Sequence, residues 1–320
     1  MRQQEPALCC YIAVDWGTSH LRAYCCQLAS NGEVTVLGSL TGPGVKKVQT
    51  DFKSTLLTLI NPWLTQYGPL PVYLAGQIGS SIGWLETAYL ACPIRPEQIL
   101  QHPQSLACEH YQISIMPGLS CRLPGQQFDA MRGEELQILG LCQLYPEYEQ
   151  GEHLLCLPGT HTKWVLLRDG VIEYFKTALT GELFDLLCHR SVLLPKLPQT
   201  EPFCWHSFAR GAALSLHQQQ ADLLHTLFSV RSRQLFAGDS ATEGRAYLSG
   251  LLIGSDIKAA MQALEWQFPP EVVLIGNPML RQCFSQVLTS MAIDTVSIDV
   301  TAATLAGFAR VALAQQLMPD

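Results

Sequence analysis

The stretch Asp15-Trp16-Gly17-Thr18-Ser19-His20-Leu21-Arg22 (DWGTSHLR) follows directly on the apolar run CYIAV at residues 10–14. A short buried strand is thus made to end in an acid, a glycine and two hydroxyls, which are poor strand formers. At a strand end they offer bare backbone, small hydrogen-bond donors and one carboxylate. That set suits a phosphate and its magnesium ion, and the residues around it decide whether the reading holds.

Working outward, CYIAVD, LRAYCCQLA and EVTVLGSL read as three strands, the last two joined by a hairpin through Asn31-Gly32. Residues 51–67 carry apolar side chains at helical spacing, with Asp51 placed as the N-cap. VYLAG at 72–76 and ISIMPG at 113–118 are short buried strands ending in glycine. Residues 132–145 (RGEELQILGLCQLY) predict a helix with its acids in the first turn, where the helix dipole favours them.

The pattern restarts near residue 151. HLLCLPGTHTKWVLLRDGVIEYFKTAL reads as strand, glycine-threonine turn, strand, an Asp169-Gly170 hairpin and another strand. Helices at about 181–190, 205–217, 219–229 and 240–264 come next, then the strand EVVLIGN, a helix, a short strand and a last helix at 302–316. The pattern predicts one α/β domain built twice, residues 1–150 and 151–301, and an expected cleft between the halves would be the place for a ligand.

With 20 basic and 27 acidic residues and a net charge of −7, the chain lacks the clustered Lys and Arg of a nucleic-acid surface. No stretch has the roughly 18 apolar residues of a membrane span, and the chain reads as cytoplasmic. Its 12 cysteines include no C-x-x-C pair and read as buried thiols. There is no G-x-x-x-x-G-K-[ST] and no G-x-G-x-x-G, so a nucleotide would be held by neither a P-loop nor a Rossmann turn.

The turns Asp15–Ser19 and Pro158-Gly159-Thr160-His161-Thr162-Lys163 form an internal pair. In each, glycine lets backbone approach a ligand closely and threonine adds a hydroxyl. Two such turns, one per domain, could grip a polyphosphate; two polar hairpin turns are the plainer alternative. His161 as a zinc ligand lacks a second ligand at fitting spacing. GSSIG at 79–83 matches the G-x-S-x-G pattern, which offers Ser81 as the nucleophile of a serine hydrolase. Glu134 and Glu135 are first-turn acids that either complement the helix dipole or do acid–base work.

The blocks YIAVDWGTSHLRAY, AGQIGSSIGW, MRGEELQILG, LPGTHTKWV, TALTGELFDLL and LSGLLIG, in this order, resemble those of the 2-dehydro-3-deoxygalactonokinase family, sugar-acid kinases of the actin–hexokinase–Hsp70 superfamily. The resemblance runs from about residue 10 to residue 315. It implies two ribonuclease-H-like domains with mixed sheets flanking a central cleft, the final helix (about 302–320) packing back on the first. It implies transfer of the γ-phosphoryl of ATP to the terminal hydroxyl of 2-dehydro-3-deoxy-D-galactonate. On this reading Asp15 holds Mg²⁺ and Glu134 is the general base, with Glu135 and then Asp129 as alternatives. Arg132 pairs with the substrate carboxylate, and Gly79, Ser80, Ser81 and Trp84 line the sugar pocket. Gly17, Thr18, Ser19, Gly159, Thr160, His161, Lys163 and Gly276 surround the ATP phosphates.

The chain departs from the family pattern at Gln77, at Leu157-Pro158 where the superfamily often has an acid, and at LIGNPML, which lacks a double glycine. A kinase for another sugar or sugar acid and a non-catalytic nucleotide binder of the same fold are the other readings. The expected partners are the sugar acid and ATP, without nucleic acid or membrane, and a homo-oligomer stays open.

Overall fold

The structure is a computed structural model and describes residues 9–29, 32–48, 51–106, 108, 111–123, 127–195, 202–217, 223–263 and 271–317. The chain divides into two compact units: Met1–Glu152 with Leu167–Tyr174 and Val300–Asp320, and His153–Leu166 with Phe175–Asp299.

The first unit opens with β1 (Cys9–Trp16), β2 (His20–Leu28), β3 (Val34–Pro43), α1 (Phe52–Tyr67) and β4 (Val72–Ala75). It continues through β5 (Tyr89–Ala91), β6 (Gln104–Leu106), β7 (Ile113–Ile115), β8 (Gly118–Arg122), β9 (Phe128–Met131) and α2 (Glu134–Leu144). Its main sheet has the order β3-β2-β1-β4-β7-β6, and a small sheet has the order β5-β8-β9. β1 pairs antiparallel with β2 and parallel with β4. Asp51 caps α1, its carboxylate accepting from the amides of Lys53 at 2.9 Å and Ser54 at 3.1 Å. Leu56, Ile60 and Trp63 on the inner face of α1 join Ile12, Val14, Trp16 and Leu74 of the sheet in one apolar cluster. Asn31 of the expected turn lies outside the described residues; Gly32 has the positive φ of 84° that such a turn needs.

The second sheet and its helices are β10 (Glu152–Leu157), β11 (Thr162–Arg168), β12 (Val171–Ala178), α3 (Thr180–Arg190), α4 (Trp205–His217), α5 (Leu223–Leu227), α6 (Ser229–Phe236), α7 (Ala241–Ala263), β13 (Glu271–Gly276), α8 (Pro278–Ser290) and β14 (Asp294–Asp299); all lie in the second unit except Glu152 and the β11–β12 hairpin segment Leu167–Tyr174, which group with the first. Its sheet order is β12-β11-β10-β13-β14. Counted from the first strand of each unit, both sheets run third, second, first, then two parallel strands. That is the ribonuclease-H-like arrangement, present twice. Asp169 (φ 48°) and Gly170 (φ 73°) make the β11–β12 connection a type I′ hairpin.

α9 (Val300–Leu317) belongs to the first unit and lies against α2. A Cβ on Gly140 would fall 1.8 Å from the Ala303 carbonyl, and one on Gly307 would fall 2.2 Å from that of Leu136. Only glycine permits so close an approach of two helices. In the second unit Gly211 and Gly250 do the same between α4 and α7, with clearances of 2.1 and 2.0 Å.

Two expectations shift, and one element is new. The helix at 219–229 begins among residues outside the described set; its described part is α5, and α6 is a separate helix after it. The predicted helix at 132–145 starts at Glu134, because Gly133 sits at φ 109°, which no helix accepts. The small sheet β5-β8-β9 has no counterpart in the sequence reading.

Among the described residues no helix is long and apolar enough to cross a membrane. All 12 cysteines are free thiols. Burial pushes Cys25 up to about 11 and Cys26 up to about 12, as suits inert core groups.

Candidate active site

In the first unit the ends of β1 and β4 and the start of α2 converge. A Cβ on Gly76 would come 2.9 Å from the Trp16 carbonyl and 3.4 Å from Oδ1 of Asp15. One on Gly133 would come 3.2 Å from the Gly76 Cα. These two positive-φ glycines let the three backbones touch and bring Asp15 near Glu134. Burial pushes the Asp15 carboxyl up, Arg22 (3.6 Å away on β2) opposes this, and the charge of Glu134 adds to it. The two carboxyl groups thus lie within electrostatic reach of each other, and carboxylate oxygens are hard ligands of the kind Mg²⁺ takes. Among the described residues no group of three or more acids, cysteines or histidines surrounds a point in space.

The two neighbouring acids of α2 differ sharply. Glu135 is fully buried, and both its oxygens accept from the Gly133 amide, at 2.7 and 2.8 Å. Burial, reinforced by Glu134, raises its carboxyl to about 8. Glu134 is part-exposed, and its Oε2 accepts from the Arg132 amide at 3.1 Å. Asp129 lies on β9, where its Oδ1 accepts from the Ala130 amide at 2.7 Å.

The Arg132 guanidinium is buried and stacks 4.1 Å above the Tyr89 ring. Nη1 donates to Thr87 Oγ1, Nη2 to the Thr87 carbonyl at 2.9 Å, and Nε to Tyr89 Oη at 3.4 Å. Three of its five N–H bonds are thus committed inside the unit, including one on each arm of the fork. Gly79 abuts this group, since its Cβ would lie 2.9 Å from both Arg132 Nη1 and Thr87 Oγ1. Ser80 donates to the Gln77 carbonyl at 2.7 Å, and Trp84 packs partly on the core of the unit. Ser81 is exposed in a turn with no helix after it, whereas a nucleophile elbow requires strand, turn and helix.

The turn after β1 is pinned by the segment after β3. Val45 and Lys46 amides donate to the carbonyls of Gly17 at 3.0 Å and Thr18 at 3.2 Å. The Gly17 amide donates to the His20 carbonyl at 2.9 Å, which leaves Thr18 and Ser19 as the amides of this turn to offer an anion.

In the second unit the corresponding turn, residues 158–161, sits between α3 and β13. A Cβ on Gly181 would lie 2.2 Å from the Gly159 carbonyl and 2.9 Å from the Thr160 Cα. One on Gly276 would lie 3.0 Å from Pro158 Cγ. The Glu182 amide donates to the Thr160 carbonyl at 2.8 Å, and the Glu182 carboxylate pairs with His161 Nε2 at 2.6 Å. The structure therefore brings Gly159, Thr160, His161 and Gly276 together. Lys163 is buried in β11, on the sheet face opposite Thr162 and Trp164. Beside the turn a cavity of about 220 Å³ opens, lined by Gly159, Gly181, Phe184, Arg245, Ser249 and Met279.

Sequence reading missed Thr87, Tyr89 and Glu182, each paired with a site residue far along the chain. For Gly181 a signal existed: a glycine in the first turn of a helix is costly unless something needs its missing side chain.

The family model of 2-keto-3-deoxy-galactonokinase matches residues 15–311. A Rhizobium meliloti (strain 1021) protein named "Probable 2-dehydro-3-deoxygalactonokinase DgoK1" is 32% identical over 308 residues, covering 95% of this chain and 97% of its own. The 2-dehydro-3-deoxygalactonokinase of Escherichia coli (strain K12) is 30% identical over 303 residues, covering 94% and 97%. A crystal structure of a Sinorhizobium meliloti protein assigned to the same activity is 31% identical, covers 97% of this chain and 98% of that one, and superposes with a TM-score of 0.84.

Proposed function

The chain belongs to the 2-keto-3-deoxy-galactonokinase family and is a 2-dehydro-3-deoxygalactonokinase; from that premise we propose that it moves the γ-phosphoryl of ATP, with Mg²⁺, to the terminal hydroxyl of the sugar acid. The observation that carries the donor assignment is the repetition. The connection between the first two strands of each sheet holds a Gly-Thr turn, Gly17-Thr18 in one unit and Gly159-Thr160 in the other. Phosphoryl transfer needs positioning and charge neutralisation more than covalent help.

Thr18 and Ser19 offer amides and hydroxyls to phosphate oxygens, and Gly159, Thr160 and His161 do so from the second unit. His161 is held in place by Glu182. The adjacent cavity takes the nucleoside, with Phe184 and Arg245 as its aromatic and cationic walls. Asp15 would hold Mg²⁺, which when bound neutralises charge on the phosphates. Glu134 accepts the proton of the attacking hydroxyl. Its part-exposure supports this role over Glu135, which is sealed in and capped on Gly133. Arg132 reads the substrate carboxylate through the N–H bonds that Thr87 and Tyr89 leave over, and Gly79, Ser80, Ser81 and Trp84 shape the loop around it.

The test is a coupled ADP-release assay over a panel of 2-keto-3-deoxy acids and neutral sugars, with and without Mg²⁺. Phosphorylation of 2-dehydro-3-deoxygalactonate that depends on both ATP and Mg²⁺ is expected. ADP release of equal efficiency with a neutral hexose would overturn the acceptor assignment.

A further inference from the structure

Asp256 lies on α7, is 7% exposed, and has no place in the chemistry above. Its Oδ1 accepts from Trp164 Nε1 at 2.9 Å, and its Oδ2 accepts from Thr180 Oγ1 at 2.5 Å. Those two donors flank the phosphate turn. Trp164 stands on β11, the strand that leaves the turn, and Thr180 is the first residue of α3, the helix that backs it. Thr180 is followed by Gly181, the residue that touches Gly159 and Thr160, and then by Glu182, which grips the turn at the Thr160 carbonyl and at His161.

We infer that Asp256 is a positioning residue for phosphate binding: one buried carboxylate ties the strand after the turn to the helix behind it and so sets the turn's place against α3. It touches no substrate and acts through Thr180. A carboxylate is suited to this because it accepts from both donors at once. A carboxamide could accept from the indole and donate to the Thr180 hydroxyl, but it carries no charge and so puts two neutral bonds in place of two charge-assisted ones. Burial raises the Asp256 carboxyl to about 6, against which Thr180, Trp164 and Thr162 pull. Two charge-assisted bonds to a single buried group hold geometry more tightly than neutral ones.

The inference rests on the reading of residues 158–161 as a phosphate turn, and the experiment separates the two. KM for ATP, KM for the sugar acid and Tm are measured for Asp256→Asn, Thr180→Val, Thr180→Ser, His161→Ala and Gly181→Ala. Asp256→Asn and Thr180→Val should raise KM for ATP by roughly tenfold to a hundredfold, the scale of a displaced binding group, and spare KM for the sugar acid. Thr180→Ser, which keeps the hydroxyl, should hold the wild-type KM for ATP. If His161→Ala and Gly181→Ala raise KM for ATP while Asp256→Asn and Thr180→Val do not, the inference is wrong and the turn assignment stands. If none of the variants moves it, the turn assignment itself fails. An equal rise in both KM values with a lowered Tm marks a merely structural role and also overturns the inference. Should Asp256→Asn not fold, Thr180→Val, which keeps the side-chain shape, decides the matter.

Discussion

Gly181→Ala sets two effects of opposite sign against each other. Gly181 lies within α3, and alanine there is worth about 1 kcal/mol of helix propensity over glycine. Its Cβ, however, would stand 2.2 Å from the Gly159 carbonyl, where ordinary contact begins at 3.4 Å. The turn or the helix must therefore yield by about 1.2 Å (3.4 − 2.2). The start of the helix is tied through Thr180 to Asp256 on α7, which also holds Trp164, so the shift falls on the turn. A misplacement of about 1 Å costs on the order of 10²-fold in rate, or about 2.7 kcal/mol of barrier. The expected outcome is a drop of that size in kcat/KM for ATP, with KM for the sugar acid unmoved and Tm close to wild type. Steady-state kinetics with each substrate varied in turn, and a thermal melt, read all three. A higher Tm with unchanged kcat/KM for ATP would show that the turn does not hold phosphate in this geometry.

Glu134→Gln should lower kcat by roughly 10²–10⁴-fold, the contribution of a general base, with ATP binding preserved in calorimetry; a larger loss from Glu135→Gln would move the base by one residue. Glu135 also fixes a pH dependence. Its folded value of about 8 exceeds the ordinary carboxylate value of 4.5, so its contribution to stability is fully present below pH 4.5 and is lost as pH rises through 8. Glu135→Gln should flatten the fall in denaturant midpoint over that window, and an unchanged slope would refute the assignment. Arg132→Ala should lower kcat/KM for the sugar acid by roughly tenfold to just over a hundredfold, the worth of a charged hydrogen bond. Without the Thr87 and Tyr89 contacts it should also lower Tm. If the ratio of kcat/KM between the sugar acid and a neutral hexose stays constant, Arg132 braces the loop and reads nothing.

The features legible in the sequence are those whose cause is local. Asp51 caps its own helix, Asp169-Gly170 makes its own hairpin, and the apolar runs of β1, β4, β10 and β13 predict buried strands because their neighbours in sequence are turns. Strands β5, β8 and β9 are three to five residues long, too short for alternation to register. Arg132 reads locally as a free cation ahead of a helix, but its partners Thr87 and Tyr89 precede it by 45 and 43 residues. Asp256 meets Trp164 across 92 residues, within a helix whose letters predict only burial. Folding assembles such pairs, and single-sequence spacing carries no trace of them.

The seating of α9 on α2 through Gly140 and Gly307 bears on how the protein is made. The helix that completes the first unit is encoded after the whole of the second. During translation α2 emerges with a face meant for α9 still bare, and it stays so while the 147 residues from His153 to Asp299 (299 − 152) are added, about 7–30 s at 5–20 residues per second. The usual vectorial order, N-terminal domain first, is thereby reversed: the inner unit can close before the outer one. Nascent chains stalled ahead of Val300 would carry that bare helix face, a target for holding chaperones and for self-association.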